Sequence, residues 1–328
     1  MPELTVLELC SGAGGQALGL EQAGFAHVAA IDNDFDACTT LRRNRPGWKV
    51  LHEGVEALDG REFRGVDLVA GGVPCPPFSI AGKQLGKDDE RDLFPDAIRI
   101  VDQARPTAVM IENVRGLMTN KFKTYRANVL NRLAEFGYFG DWRLLNACDF
   151  GVPQLRPRSI LVAMRREAWE AFSWPTVKTE APTVGEVLLD LMAARGWTGA
   201  KEWAKDANDI APTLVGGSKK HGGPDLGPTR AREKWRSLRV DGLGVADLAP
   251  DEEFALNGTP RLTPRMLARI QGFPDDWLFS GRKTAACRQI GNAFPPPVAR
   301  VAGEAIASAL ATLSHASPRR VRSLALAR

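Results

Sequence analysis

Five short, almost wholly apolar runs recur along the first half of the chain: "LTVLEL" (4–9), "HVAAI" (27–31), "VDLVAGG" (66–72), "TAVMIENV" (107–114) and "RSILVAM" (158–164). Helical patterns such as "ALGLEQAG", "DFDACTTLRRN" and "LFPDAIRIVDQA" fill most of the intervals. A strand that is apolar on both faces needs cover on both, and strands alternating with helices pair in parallel. The spacing predicts an α/β domain built on a parallel sheet with helices on each side. After about residue 172 the alternation stops, and Pro, Gly and long polar segments dominate to about residue 260, which reads as a second, irregular domain. "TPRMLARIQGF" (263–273) is a short helix with a Gly stop, and "PVARVAGEAIASALATL" is an amphipathic helix long enough to return to the first sheet.

Composition narrows the class. With 44% hydrophobic and 25% charged residues the chain is an ordinary globular protein. No apolar run approaches the roughly 18 residues of a membrane span, and "MPELTVLELC" lacks the basic start of a signal peptide, so a cytoplasmic protein is expected. Five cysteines, never in a CxxC pair, and four scattered histidines argue against a zinc site and for reduced thiols. The net charge of +4 says little, but residues 219–239 carry seven Lys/Arg against two acids. With Trp235 among them, that run suits a phosphate backbone; a solvated surface loop is the alternative.

Four stretches carry candidate chemistry. In "ELCSGAGGQALGL" a strand meets Gly12, Gly14 and Gly15 and then a helix, a turn that lets a ligand reach the backbone and the helix N-terminus. Asp32, 20 residues beyond Gly12, ends the second strand where a carboxylate can bind ribose hydroxyls. This pattern indicates a nucleoside-containing cofactor without separating NAD from S-adenosylmethionine. In "GGVPCPPFS" Pro74, Pro76 and Pro77 clamp Cys75 beyond the end of a central strand, which suits a thiol that must be aimed. "AVMIENVRGL" brings Glu112 and Asn113 to the same edge, as acid–base groups or as turn caps. In "FGVPQLRPRSI" Gln154, Arg156 and Arg158 alternate and are expected to share one face, as an anion clamp or as an exposed edge.

Together these stretches resemble the DNA cytosine C5-methyltransferases. "LELCSGAGGQALGLEQAGF" is similar to that family's cofactor loop, "GGVPCPPFSIAGKQ" to its nucleophile loop, "ENVRGL" to its acid motif and "DFGVPQLRPRS" to its Gln-x-Arg-x-Arg motif. "RLTPRMLARIQGFPDDW" and "QIGNAFPPPVAR" resemble its two closing motifs, in the same order. The likeness covers roughly 1–165 and 261–300, and the stretch between corresponds to the variable target-recognition region. It implies a Rossmann-like S-adenosylmethionine-dependent methyltransferase sheet, formed by 1–172 with 283–328, and a smaller irregular target-recognition domain at 173–282.

The resemblance also implies roles. Cys75 would add to C6 of a flipped-out cytosine, Glu112 would share or give a proton at N3, and Arg158 would hold the O2 edge. Asn113, Gln154 and Arg156 would support the pocket. Cys10, Ser11, Gly12, Gly14, Gly15, Asp32, Asn33, Pro74 and Asn292 would hold the cofactor. Ser79, Lys83 and Gln84, in a polar stretch (79–92) suited to a closing flap, would contact DNA, as would Lys219, Lys220, Arg230 and Arg232. The family's loop has phenylalanine where Cys10 stands, often glutamine where Pro76 stands, and an aspartate near Val55 or Glu56. The partner implied is duplex DNA, with a restriction endonuclease acting separately, and a monomer is expected. The rival readings are a tRNA cytosine methyltransferase, a DNA-binding protein without turnover, and an NAD-dependent oxidoreductase.

Overall fold

The computed structural model describes residues 3–74, 92–176, 179–216 and 225–316. Its centre is a seven-stranded sheet of β1 (Leu4–Leu9), β2 (Phe25–Asp32), β3 (Val50–His52), β4 (Leu68–Gly71), β5 (Ala108–Val114), β6 (Tyr138–Asn146) and β7 (Pro157–Arg165). The strands lie in the order β3-β2-β1-β4-β5-β7-β6. All five apolar runs are strands. The sheet is not wholly parallel, however: β7 is antiparallel to both β5 and β6. An apolar run marks a strand as buried but does not encode its direction, so the expectation of an all-parallel sheet is corrected at this edge.

The helices are α1 (Gly15–Gln22), α2 (Phe35–Asn44), α3 (Phe94–Ala104), α4 (Lys123–Glu135), α5 (Arg166–Ala171), α6 (Val184–Ala193), α7 (Ala200–Asp206), α8 (Thr229–Ser237), α9 (Pro264–Ile270), α10 (Lys283–Asn292) and α11 (Pro296–Ala316). One sheet face buries Leu7, Leu9, Ile31, Val109, Ile111 and Leu161 beneath Ile98, Ile100 and Val101 of α3 and Leu133 of α4. The other buries Val6, Leu68, Met110, Ile160 and Val162 against Val298, Ala299, Ala302 and Ile306 of α11. The last helix does return to the sheet. It lies against α1 at Gly19, where a Cβ would collide with the Pro296 carbonyl and the Ala299 side chain. A third core joins Leu18, Cys38 and Leu41 to Val184, Leu188, Trp203, Trp235, Ile270 and Trp277. α9 ends where Gly272, at φ 90°, turns the chain into a left-handed conformation.

The strand order reverses between β1 and β4, each hydrogen-bonded to the other and each with its next partner on the far side. In an open α/β sheet that crevice, beyond the carboxyl ends of the strands, is where ligands bind.

Candidate active site

Beyond the end of β1 the chain turns sharply. Cys10 adopts φ 50°, Gly12 φ 53° and Gly14 φ 86°, and the last of these begins α1. Left-handed backbone is strained for a residue with a Cβ, so Cys10 is held there by its surroundings. Ser11 fastens the loop to β2, its backbone N–H at 2.9 Å and its hydroxyl at 3.2 Å from the Ile31 carbonyl. At the end of β2, Asp32 accepts from the Gly12 N–H (2.7 Å) and the Asp34 N–H (2.8 Å), which fixes its carboxylate across the turn. Asp34 caps α2 and pairs with Arg288 of α10 at 3.2 Å.

These residues line a cleft of about 280 Å³, with Glu8, Gln16, Asn33, Val55, Gly72, Pro74, Glu112 and Asn292. Cys10, Ser11, Gly12, Gly15, Asp32, Asn33, Pro74 and Asn292 therefore surround one space; Gly14 shapes the turn beneath it. Buried polar atoms without partners are rare. Here Glu8 Oε1 and both amide atoms of Gln16 are buried and unpartnered among the described residues. The burial of the Cys10 thiol pushes its pKa well up, so it is a neutral wall rather than a nucleophile.

A second, larger cavity of about 930 Å³ opens beside the first. Its walls include Glu112, Asn113, Val114, Arg158, Leu155, Thr213, Val215 and Gly216. Both cavities share Gly72, Pro74, Glu112 and Asn292. The antiparallel course of β7 places Arg158 here. The start of β7 lies beside the end of β5, where Arg158 pairs with Val114, and its Nε reaches Glu112 Oε1 at 2.8 Å. A parallel β7 would have put that arginine at the opposite edge of the sheet. Burial pushes the Glu112 pKa up, opposed by Arg158 and then Arg156, while burial lowers that of Arg158. Asn113 faces away from Glu112 and donates from Nδ2 to the Val73 carbonyl at 2.8 Å, fixing the backbone two residues before Cys75. The Leu93 N–H donates to the Pro74 carbonyl at 3.2 Å.

Gln154 and Arg156 line neither cavity. Both are wholly buried. Arg156 donates to the carbonyls of Leu214 (2.7 Å), Gly291 (2.7 Å) and Ala293 (2.9 Å), and Gln154 bonds the Leu214 N–H and the Gln271 side chain. Together they tie the segment 211–216 and the end of α10 to the entry of β7. Trp235 differs from the reading of an aromatic offered to nucleic acid: it is fully buried in the third core, and Lys234 beside it pairs with Asp209. Arg230 is exposed on α8 and Arg232 partly so, its Nη2 at 3.4 Å from the Thr229 hydroxyl. Cys75, Ser79, Lys83, Gln84, Lys219 and Lys220 lie outside the described residues. Three residues the sequence reading passed over belong to the site or its support: Glu8, Gln16 and His27. The signal for Glu8 was a lone carboxylate within an otherwise apolar strand.

A doubly covered sheet with a nucleoside-sized cleft at its switch point, opening onto a second cavity, has the architecture of a Rossmann-like transferase. The family is then settled by likeness across the chain: residues 4–308 match the model of the C-5 cytosine-specific DNA methylases, and the protein belongs to that family, as a DNA cytosine-5-methyltransferase. Type II methyltransferase M.NaeI of Lentzea aerocolonigenes is 57% identical over 314 residues, spanning 94% of this chain and 76% of that one. M.NgoMIV of Neisseria gonorrhoeae is 52% identical over 311 residues, spanning 94% and 98%. A solved structure described as a DNA modification methyltransferase encoded within an E. coli prophage superposes with TM-score 0.66 at 26% identity, covering 94% of this chain and 99% of that one.

Proposed function

We propose that the enzyme uses S-adenosylmethionine to methylate C5 of a cytosine flipped out of a specific duplex DNA sequence, with Cys75 as nucleophile. The observation that carries this reading is the shared wall of Gly72, Pro74, Glu112 and Asn292 between the two cavities. A group held in the smaller cleft and a base held in the larger one would meet at that wall, one residue before Cys75.

The smaller cleft fits the cofactor. The left-handed turn leaves nothing within 4 Å of where a Gly12 Cβ would sit, and Asp32 stands at the rim for a ribose. The unpartnered Glu8 and Gln16 atoms match a charged amino-acid end. When bound, S-adenosylmethionine supplies a sulfonium methyl group for an activated C5. The chain's own groups do the activating. The Cys75 thiolate forms a bond to C6, and the C5=C6 electron pair moves into the ring as Glu112 shares its proton with N3. A buried Glu112 with a raised pKa is suited to hold that proton, and Arg158, bonded to it, would grip the O2 edge. Loss of the C5 proton, with water as the expected acceptor, then expels the thiolate.

A stacked base is out of reach of such a site, so extrusion is required. We assign catalysis to 1–172 with 283–328 and DNA recognition to 173–282, where Arg230, Arg232, Lys219 and Lys220 serve as phosphate contacts. Ser79, Lys83 and Gln84, in the stretch that follows Cys75, join them. The type II names of the relatives support a place in a restriction–modification system, with a cognate endonuclease acting separately and this protein working as a monomer in the bacterial cytoplasm. No helix among the described residues is long and apolar enough to cross a membrane. Expression in a host without cytosine methylation, followed by bisulfite sequencing, tests the reading and reveals the target. Protected cytosines in one sequence context are expected for the wild type and none for Cys75→Ala; a genome left fully convertible by the wild type would refute it.

A further inference from the structure

Counted back by alternation from Ile31, His27 belongs on the sheet face of Leu7 and Leu9. The register of β1 against β2 breaks there: Val6 pairs with His27 but Leu7 pairs with Ala29. That extra residue turns His27 to the opposite face, the one that Glu8 occupies. Its Nε2 lies 3.0 Å from Glu8 Oε2, and both side chains are wholly buried. The ring stacks on Trp48 with centroids 4.0 Å apart, and Arg45, bonded to Glu21 of α1, lies 5.9 Å from the Trp48 ring. A bulge between parallel strands, a stack behind the ring and one bond in front amount to a mount for a single carboxylate.

Glu8 needs such a mount. Burial pushes its pKa up, opposed first by the His27 bond and charge and last by the Ala17 backbone N–H, while Asp32 adds to the push. The His27 bond takes up Oε2, leaving Oε1 unpartnered in a residue that lines the cofactor cleft. Gln16, on the same wall at the start of α1, has both amide atoms unpartnered. A carboxylate acceptor beside an amide donor is what a zwitterion binds. We propose that His27 is a positioning residue, holding Glu8 so that Glu8 and Gln16 together receive the amino-acid end of the cofactor. The inference rests on the cofactor assignment above.

Calorimetric titration with S-adenosylhomocysteine and with 5′-methylthioadenosine, which has the nucleoside but no amino-acid end, tests it on the intact chain. His27→Phe keeps the stack on Trp48 and loses the N–H. It is expected to weaken S-adenosylhomocysteine about tenfold, the scale of one charge-assisted hydrogen bond, and to leave 5′-methylthioadenosine within about twofold. His27→Gln, which restores a donor at that reach, is expected to recover most of the loss. Equal weakening of both ligands, no weakening of either, or failure of the glutamine to rescue would overturn the proposal. If His27→Phe does not fold, Glu8→Gln carries the same selective loss, and its absence there would overturn it equally. A wild type that binds neither ligand would instead overturn the cofactor assignment.

Discussion

Arg156→Met is the substitution whose cost can be worked most directly from the structure. The guanidinium is fully buried and donates to three backbone carbonyls, of Leu214, Gly291 and Ala293. Methionine fills much of the volume but donates nothing. Ala293 keeps the Gln271 amide as a partner, so the loss falls on the carbonyls of Leu214 and Gly291. Each buried group so deprived costs about 1–3 kcal/mol, and relief from burying a charge offsets part of this, leaving about 3 kcal/mol net. For a chain of this size that is roughly 4 °C in Tm. The loss should also be local: residues 211–216 and the end of α10 should exchange their amide hydrogens faster than the sheet does, since Arg156 is what joins them. Differential scanning calorimetry and hydrogen exchange on wild type and variant provide the measurement. A Tm within about 1 °C of wild type, with protection of Leu214 and Gly216 unchanged, would refute the brace and return Arg156 to a role in the cavity.

Other outcomes follow from the same geometry. Because burial raises the Glu112 pKa above its ordinary value of 4.5, its ionisation opposes folding, and the stability linked to its protonated form is lost as pH rises through the raised value. Glu112→Gln should therefore gain stability relative to wild type as pH climbs above that ordinary value, while methyl transfer is lost; a Tm difference flat with pH would contradict the shift. Neutralising Lys219 and Lys220 together should lower the slope of log affinity against log salt by about 0.9 for each phosphate contact removed. An unchanged slope would take both lysines out of the interface.

The sequence showed the sheet where strands are buried on both faces and hid it where they are not. β1, β2, β4, β5 and β7 announce themselves as apolar runs. β6 alternates buried and exposed residues along "YFGDWRLLN" at the sheet edge, and β3 has only three residues, too few for a pattern. Residues whose role depends on neighbours in sequence, such as Gly12 in its turn, were legible for that reason. Arg156 was not, because its partners are backbone carbonyls 58 to 137 residues away, and no side-chain pattern marks a carbonyl. Trp235 misled because a basic run and a core tryptophan are compatible on an amphipathic helix: its neighbours Arg236 and Ser237 face water while it faces the third core. His27 was hidden by a register break that alternation cannot foresee.

The central claim is that Cys75 joins covalently to the target cytosine at the wall shared by the two cavities. Duplex DNA carrying 5-fluorocytosine at the target, incubated with enzyme and S-adenosylmethionine and digested for mass spectrometry, tests it directly, since fluorine cannot leave as a proton does. The account predicts a denaturant-stable adduct on the peptide containing Cys75, absent from Cys75→Ala. Methylation of ordinary cytosine at that site without any adduct on the fluorinated one, or an adduct on another residue, would contradict it.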